Sequence, residues 1–258
     1  MKDLLNVCLD SIYKTTKDHS FDIILVDNAS QDGTKEMISE LYPDIIYIEN
    51  SENRGVAPAR NQGLQMAKGK YTLILDADIK IVNNALDRLV DFLDSNQSFG
   101  MVGAKLCYSD MTPQANCKRF PTLSALLLRR IEHTDFAKNH PLYRDHIMSE
   151  FNHDQTIEVD YLIGACQMFR TEILKSVGLL DDKIFYGPED IDFCLRIRSK
   201  GWKIGYLHES LMIHYEQRIT KRKIISTITL KHLFGLFHIF HKYKGKLHPS
   251  RVKQSHYI

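Results

Sequence analysis

Residues 73–79 read LILDADI: an apolar run that ends in two aspartates, Asp76 and Asp78, one alanine apart. An apolar stretch of this length reads as a buried strand, and in extended backbone residues i and i+2 share a face. The strand therefore delivers two carboxylates side by side to a surface cleft. Two such acids repel each other unless a cation lies between them, and oxygen-only ligands suit Mg²⁺ or Mn²⁺. On these seven residues alone, a metal site and a strand end followed by an acidic turn both stand open.

The segments before this strand alternate in character. Apolar positions Leu4, Leu5, Val7, Leu9, Ile12 and Tyr13 fit a helix over 3–16 with one buried face. Phe21–Val26 reads as a strand, broken by the turn formers Asp27–Gly33, and Thr34–Leu41 as a helix. Ile45–Ile48 is a second strand, followed by a loop through Asn53 and a helix over 56–67 with Pro58 in its first turn. Alternating helix and strand predicts an α/β fold, a mostly parallel sheet flanked by helices, whose ligands bind beyond the carboxyl ends of the strands. Asp27, Asn53, Asp76 and Asp78 all fall at such ends, which favours the metal reading of the acid pair.

Downstream, Asn83–Asp94 reads as an amphipathic helix and Gly100–Leu106 as a strand. Residues 107–156 are loop-rich, with Pro113, Pro121 and Pro141, and suit a lid or an acceptor platform as well as a surface excursion. Val159–Phe169 reads as one strand in which Gly164 and Ala165 admit a ligand or a second backbone. Pro188 suits a first helical position, with Glu189, Asp190 and Asp192 in the first turn; by itself that cluster is a helix cap. Trp202–Leu207 and Leu211–His214 read as two strands, and 221–243 as a basic amphipathic helix. This last segment has three open readings: lying on an anionic membrane surface, docking on its own domain, or forming a homodimer contact.

Composition narrows the field. The chain has 258 residues, 43% hydrophobic and 26% charged, as ordinary globular proteins have. After Tyr215 ten basic residues stand against Glu216 alone, a net +9, which leaves −7 on residues 1–215. An acidic body makes nucleic acid an unexpected partner. Five cysteines without close pairing point to a reduced, cytoplasmic setting. No apolar run reaches the roughly 18 residues of a membrane span. No Gly-x-Gly-x-x-Gly turn follows any strand, which argues against a dinucleotide-binding domain.

Taken together, VDNASQDGT at 26–34, NRGVAPARNQG at 53–63, LILDADI, RFPT at 119–122, VDYLIGACQMFR at 159–170, YGPEDIDFCLRIRSKGW at 186–202 and His214 resemble the inverting GT-A glycosyltransferases of family 2, which include bacterial rhamnosyltransferases. The resemblance runs from Lys2 to about Arg218, and its order and spacing carry it. It implies a catalytic domain over 1–217 and a basic helical tail over 218–258. It further implies that Asp27, Asn53, Arg60 and Asp76 contact a nucleotide-sugar, that Asp78 and His214 hold Mg²⁺ or Mn²⁺, and that Asp190 is the catalytic base. Gly164, Ala165, Glu189 and Asp192 would position the acceptor, a glycan or lipid-linked sugar. Relatives open with an apolar strand that would fall just before Met1, so the chain as written is expected to be poorly stable or inactive. A degenerate nucleotide-sugar-binding protein is the alternative to an enzyme.

Overall fold

The computed structural model describes residues 1–216 and 227–251. Helix α1 (Lys2–Thr15) buries Leu5, Cys8, Leu9 and Ile12 along one face, as its spacing predicts. Strand β1 (Ile24–Asp27), helix α2 (Thr34–Leu41), strand β2 (Ile46–Glu49), helix α3 (Val56–Met66) and strand β3 (Tyr71–Leu75) follow in the expected order. Next come β4 (Ile79–Ile81), α4 (Ala85–Ser95) and β5 (Phe99–Cys107).

The loop-rich stretch holds more structure than its composition suggests. It contains β6 (Cys117–Lys118), α5 (Leu123–Arg130), α6 (Asp135–Asn139) and α7 (Pro141–His146). Each helix is started by a side chain: Thr122, Thr134 and His140 accept hydrogen bonds from the backbone N–H groups of Ala125, Ala137 and Leu142. Capping supplies what periodicity cannot in helices of five to eight residues.

The expected single strand over 159–169 is three, β7 (Ile157–Val159), β8 (Tyr161–Leu162) and β9 (Cys166–Arg170). The breaks fall where a side chain competes with the ladder, Asp160 accepting from the Phe120 N–H at 3.0 Å, and at the Ile163–Ala165 turn. After the short α8 (Leu174–Val177), α9 (Glu189–Ser199) begins one residue later than expected, with Pro188 as its N-cap. The two strands expected over 202–214 are one, β10 (Lys203–His214), with a bulge between Leu207 and Leu211. Helix α10 (Thr227–Lys242) is the last long element.

The main sheet has the order β3–β9–β5–β10–β4, with β7 also paired to β10. It is mixed: β5 and β10 are parallel, whereas β9 runs antiparallel between β3 and β5. Strands β3, β5 and β10 therefore point the same way, and β3 and β10 bring Asp76, Asp78 and His214 to one end of the sheet. Apolar clusters cover both faces, one built on Ile74, Met101, Phe169, Phe193 and Tyr206, the other on Ile79, Leu89, Val102, Leu106 and Met212.

The reading of 218–258 as a separate tail meets a different arrangement. Residues 217–226, and with them the start of the expected helix, lie outside the described residues. Beyond them, Ile239, Phe240, Tyr243 and Leu247 belong to the same apolar cluster as α9. The Lys242 ammonium lies 2.8 Å from Asp181 and 2.7 Å from Asp192, and the Tyr243 hydroxyl donates to Asp192. Burial alone would raise the Asp181 pKa, but Lys242 and His238 hold it down at about 2. Docking on its own domain is therefore what α10 does with one face. No described helix is long and apolar enough to cross a membrane.

Strands β1 and β2 pair in parallel as a sheet of their own, and among the described residues neither β1 nor β3 has a partner on its other side. A groove lined by Leu5, Leu9, Ile24, Val26, Leu73 and Leu75 lies between them. Unpaired edges with apolar walls leave backbone groups to water. Hydrogen exchange checks this: the amides of β1 and β3 that face the groove should exchange at least about tenfold faster than those of doubly paired β5. Equal protection would contradict the split sheet.

Candidate functional site

Four elements, α3, β3, α9 and β10, bring chemistry to one cleft. Strand β3 ends at Leu75, and the Asp76 N–H donates to the Ala165 carbonyl at 3.0 Å, so the acid pair is locked to the turn before β9. Strand β10 lies beside β4 with His214 opposite Ile79, and the Tyr215 N–H donates to the Asp78 carbonyl. This register brings His214 Nε2 to 3.4 Å from Asp78 Oδ1. One ligand atom from each of Asp76, Asp78 and His214 falls within 4.8 Å of the others.

The donor set fits a divalent cation. Gln114 fixes the histidine: its Nε2 donates to the His214 carbonyl at 2.9 Å, so its Oε1 accepts from His214 Nδ1–H at 2.8 Å. Nε2 then faces the acids, where it pairs with Asp78 when protonated and can offer its lone pair to a cation when not, as metal-bound histidines are held by their second nitrogen. Burial opposes a charged imidazole here, but Asp78, Asp76 and Glu216 outweigh it and raise the His214 pKa. Two carboxylates that favour a positive histidine favour a cation in its place. Gln114 lies in the loop-rich stretch, 100 residues from its partner, and no sequence pattern marks it.

Asp190 stands at the start of α9. Its Oδ2 accepts from the Gly164 N–H at 3.2 Å and its Oδ1 from the Ile191 N–H at 2.7 Å, and it lines the same cavity as the acid pair. Arg60 joins the two sides. Its Nη2 donates to Asp76 Oδ1 at 2.6 Å and to the Gly164 carbonyl at 2.9 Å, while Nη1 donates to Glu189 Oε1 at 2.9 Å. A Cβ on Gly164 would lie 2.5 Å from Arg60 Nη1, so a side chain there would push the guanidinium out of its present place. Burial and the neighbouring Asp190 raise the Glu189 pKa against the pull of Arg60, and its Oε2 is buried without a partner among the described residues.

The expected site residues thus divide. Arg60, Asp76, Asp78, Gly164, Ala165, Glu189, Asp190 and His214 line one cavity. Asp27 is buried at the end of β1, where its carboxylate accepts from the Ser30 N–H and the Tyr47 hydroxyl. Asn53 accepts from the Gly55 N–H and the Asn28 amide in the neighbouring loop. Arg60, expected against the nucleoside, has three protein partners, because two carboxylates and a carbonyl lie within its reach. Asp192 is fully buried outside the cavity, where Arg196, Lys242 and Tyr243 take up its oxygens. Two residues after Asp190 on a helix, its side chain points about 200° away around the axis, so it anchors α10 instead of facing an acceptor.

Known proteins are similar to this chain in sequence and in fold. An uncharacterized glycosyltransferase of Methanocaldococcus jannaschii is 25% identical over 228 residues, which cover 84% of this chain and 70% of that protein. The N-acetylglucosaminyl-diphospho-decaprenol L-rhamnosyltransferase of Mycobacterium tuberculosis is 22% identical over 223 residues, covering 81% of this chain and 71% of its own. In three dimensions the chain is similar to GalNAc-T7, crystallised with UDP, GalNAc and Mn²⁺, with a TM-score of 0.69 at 17% identity over 93% of this chain and 45% of that one. At that identity the likeness establishes the GT-A fold. The family model for glycosyl transferase family 2 matches residues 2–178. With that match spanning well over half of its length, the chain belongs to glycosyl transferase family 2 and is, with it, a glycosyltransferase.

Proposed function

We propose that the chain transfers a sugar, with inversion and with the help of Mg²⁺ or Mn²⁺, from a nucleoside-diphosphate donor to a hydroxyl of a cell-surface glycan precursor. The observation that carries this is one cavity with Asp76, Asp78 and His214 on one wall and the Asp190 carboxylate on another. A bound divalent cation would neutralise the charge that develops on the departing diphosphate. Asp190, held by two backbone N–H groups, takes the proton of the acceptor hydroxyl as its oxygen bonds to the anomeric carbon. The bond from that carbon to the diphosphate breaks with its electron pair on the diphosphate, and attack from the opposite face inverts the centre.

Arg60 and Glu189 act in this reading as positioning residues that keep Asp76 and Gly164 in register. Asp27 and Asn53 serve the nucleoside in this reading by holding the loops beside it, since Asn28, which donates to Asn53, lines the cavity while they do not. Rhamnose as the donor sugar and a lipid-linked diphosphate acceptor are favoured by the resemblance and by the Mycobacterium tuberculosis relative. Five free, buried cysteines fit the reducing cytoplasm.

Asp190→Asn is expected to keep nucleoside-diphosphate binding and to lower transfer by roughly 10² to 10⁴. A protein that merely binds nucleotide-sugars has no transfer for the substitution to remove. For the metal, Mn²⁺ should raise the melting temperature of the chain, and Asp78→Asn should abolish that shift. A shift that survives Asp78→Asn would remove Asp78 from the ligand set.

We also propose that the outer face of α10 rests on an anionic membrane. Leu230, Leu233, Phe234 and Phe237 are exposed there, Phe234 and Phe237 at 72% and 73%, in the segment that carries the net +9. Exposed apolar groups beside basic charge suit a lipid headgroup layer. Co-sedimentation with phosphatidylglycerol vesicles should fall with salt and with Phe234→Ser/Phe237→Ser. Concentration-dependent dimerisation lost in that variant, without vesicle binding, would assign the face to a second copy.

A further inference from the structure

Lys118 is a buried cation for which the transfer chemistry has no use. It lies on β6, paired with β8 so that it faces Tyr161, and the residue is 7% exposed. Its ammonium has no hydrogen bond or ion pair among the described residues. Such a charge is costly to bury without a counter-ion.

The surroundings explain why it is there. Lys118 lines a chamber of the cavity together with Arg129 of α5, His133 and Lys138, beside Glu132, Tyr143 and Tyr161, so three cations and one histidine stand there against one carboxylate. Arg129 also makes no ion pair among the described residues. Burial, and after it Arg129, bring the Lys118 pKa down to about 7 against Asp190, Glu132 and Glu216, which raise it. The same positive field reaches His146, whose pKa burial and Lys118 together push down to about 4. The chamber is continuous with Asp190, since β8 leads through Ile163 directly to Gly164, whose N–H holds that carboxylate.

We propose that this chamber is an acceptor subsite for a phosphate group, received by the Lys118 ammonium at its floor and the Arg129 guanidinium at its rim. The proposal rests on the reading of Asp190 as the group that faces the acceptor hydroxyl. It adds that the acceptor carries a phosphate ester close to that hydroxyl. A phosphate spreads its charge over several oxygens, so cations from a strand and from a helix can meet it at once. Before the acceptor arrives the ammonium has no direct partner among the described residues, and its desolvation is a cost the fold bears; the oxyanion supplies that partner.

The test is calorimetric titration of the full chain with glycerol 3-phosphate, with glycerol and glucuronate as controls, in Mn²⁺ and saturating UDP, GDP or dTDP so that the donor side is filled. Lys118→Met and Arg129→Gln are compared with the parent chain. Glycerol 3-phosphate should bind the parent, at least about tenfold more weakly to Lys118→Met, and with intermediate affinity to Arg129→Gln, with glycerol and glucuronate weaker throughout. Bound glycerol 3-phosphate should also slow acylation of Lys118, followed by peptide mass mapping. Lys118→Met should melt no lower than the parent, since it removes a buried unpaired charge. Equal affinity in Lys118→Met, equal binding of glycerol, or preference for glucuronate each overturns the phosphate subsite. Failure of every nucleoside diphosphate to bind would instead sink the donor reading, and the glycerol 3-phosphate comparison still reads on the chamber.

Discussion

The Arg60 guanidinium ties the site into one body. It reaches from α3 to Asp76 after β3, to the Gly164 carbonyl before β9, and to Glu189 at the head of α9. These positions are far apart in the chain, and none of the elements that carry them would hold its acid in place alone. Arg60 is only 17% exposed and Glu189 7%, so the Glu189 pair is largely screened from water. Removing one partner of such a pair strands a buried charge, a loss of about 3–5 kcal/mol. The planar fork of arginine answers several oxygens in one plane, which a lysine ammonium does not. Arg60 thus reinforces the link that the Asp76 N–H to Ala165 and the Gly164 N–H to Asp190 already make between the acid pair and Asp190.

A second ionic knot stands behind it. Asp192, two residues beyond Asp190, is shared by Arg196, Lys242 and Tyr243, and so fastens α10 to the first turn of α9. Gly235 completes the contact: a Cβ there would lie 3.0 Å from the Gly187 carbonyl and from Pro188. The segment that presents the Asp190 carboxylate is therefore clamped by Arg60 in front and by α10 behind. Rigid support of this kind is what a proton-accepting carboxylate needs in order to meet a hydroxyl at hydrogen-bond distance. The face of α10 turned away from this clamp keeps its phenylalanines exposed, so one helix carries both the internal anchor and the outward apolar surface.

The order of elements was legible before any coordinates. The spacing of Leu5, Leu9 and Ile12 marks α1, the apolar run before Asp76 marks β3, and Thr34–Leu41 falls where turn formers end. Local pattern also put Asp27, Asn53, Asp76 and Asp78 at strand ends, whereas Asp190, by itself a helix-cap residue, and His214 joined them only through the family resemblance. Strand direction was not legible. Strand β9 runs against its neighbours, and apolar runs carry no sign of polarity. Nor was the breaking of 157–170 into three strands, which depends on Asp160 finding the Phe120 N–H from another segment. The short helices α5 to α7 escaped for a related reason: their starts are fixed by single capping side chains.

What the sequence determined by itself is the order of helices and strands and which acids stand at their ends, since both follow from local pattern and residue chemistry. Tertiary structure decided what each group faces. It turned Arg60 inward to three protein partners, gave Asp192 to α10, set Gln114 behind His214, and placed Lys118 in a chamber where it has no ion pair among the described residues. These assignments depend on contacts between residues tens to more than a hundred positions apart, and pairwise electrostatics at such separations has no trace in local sequence.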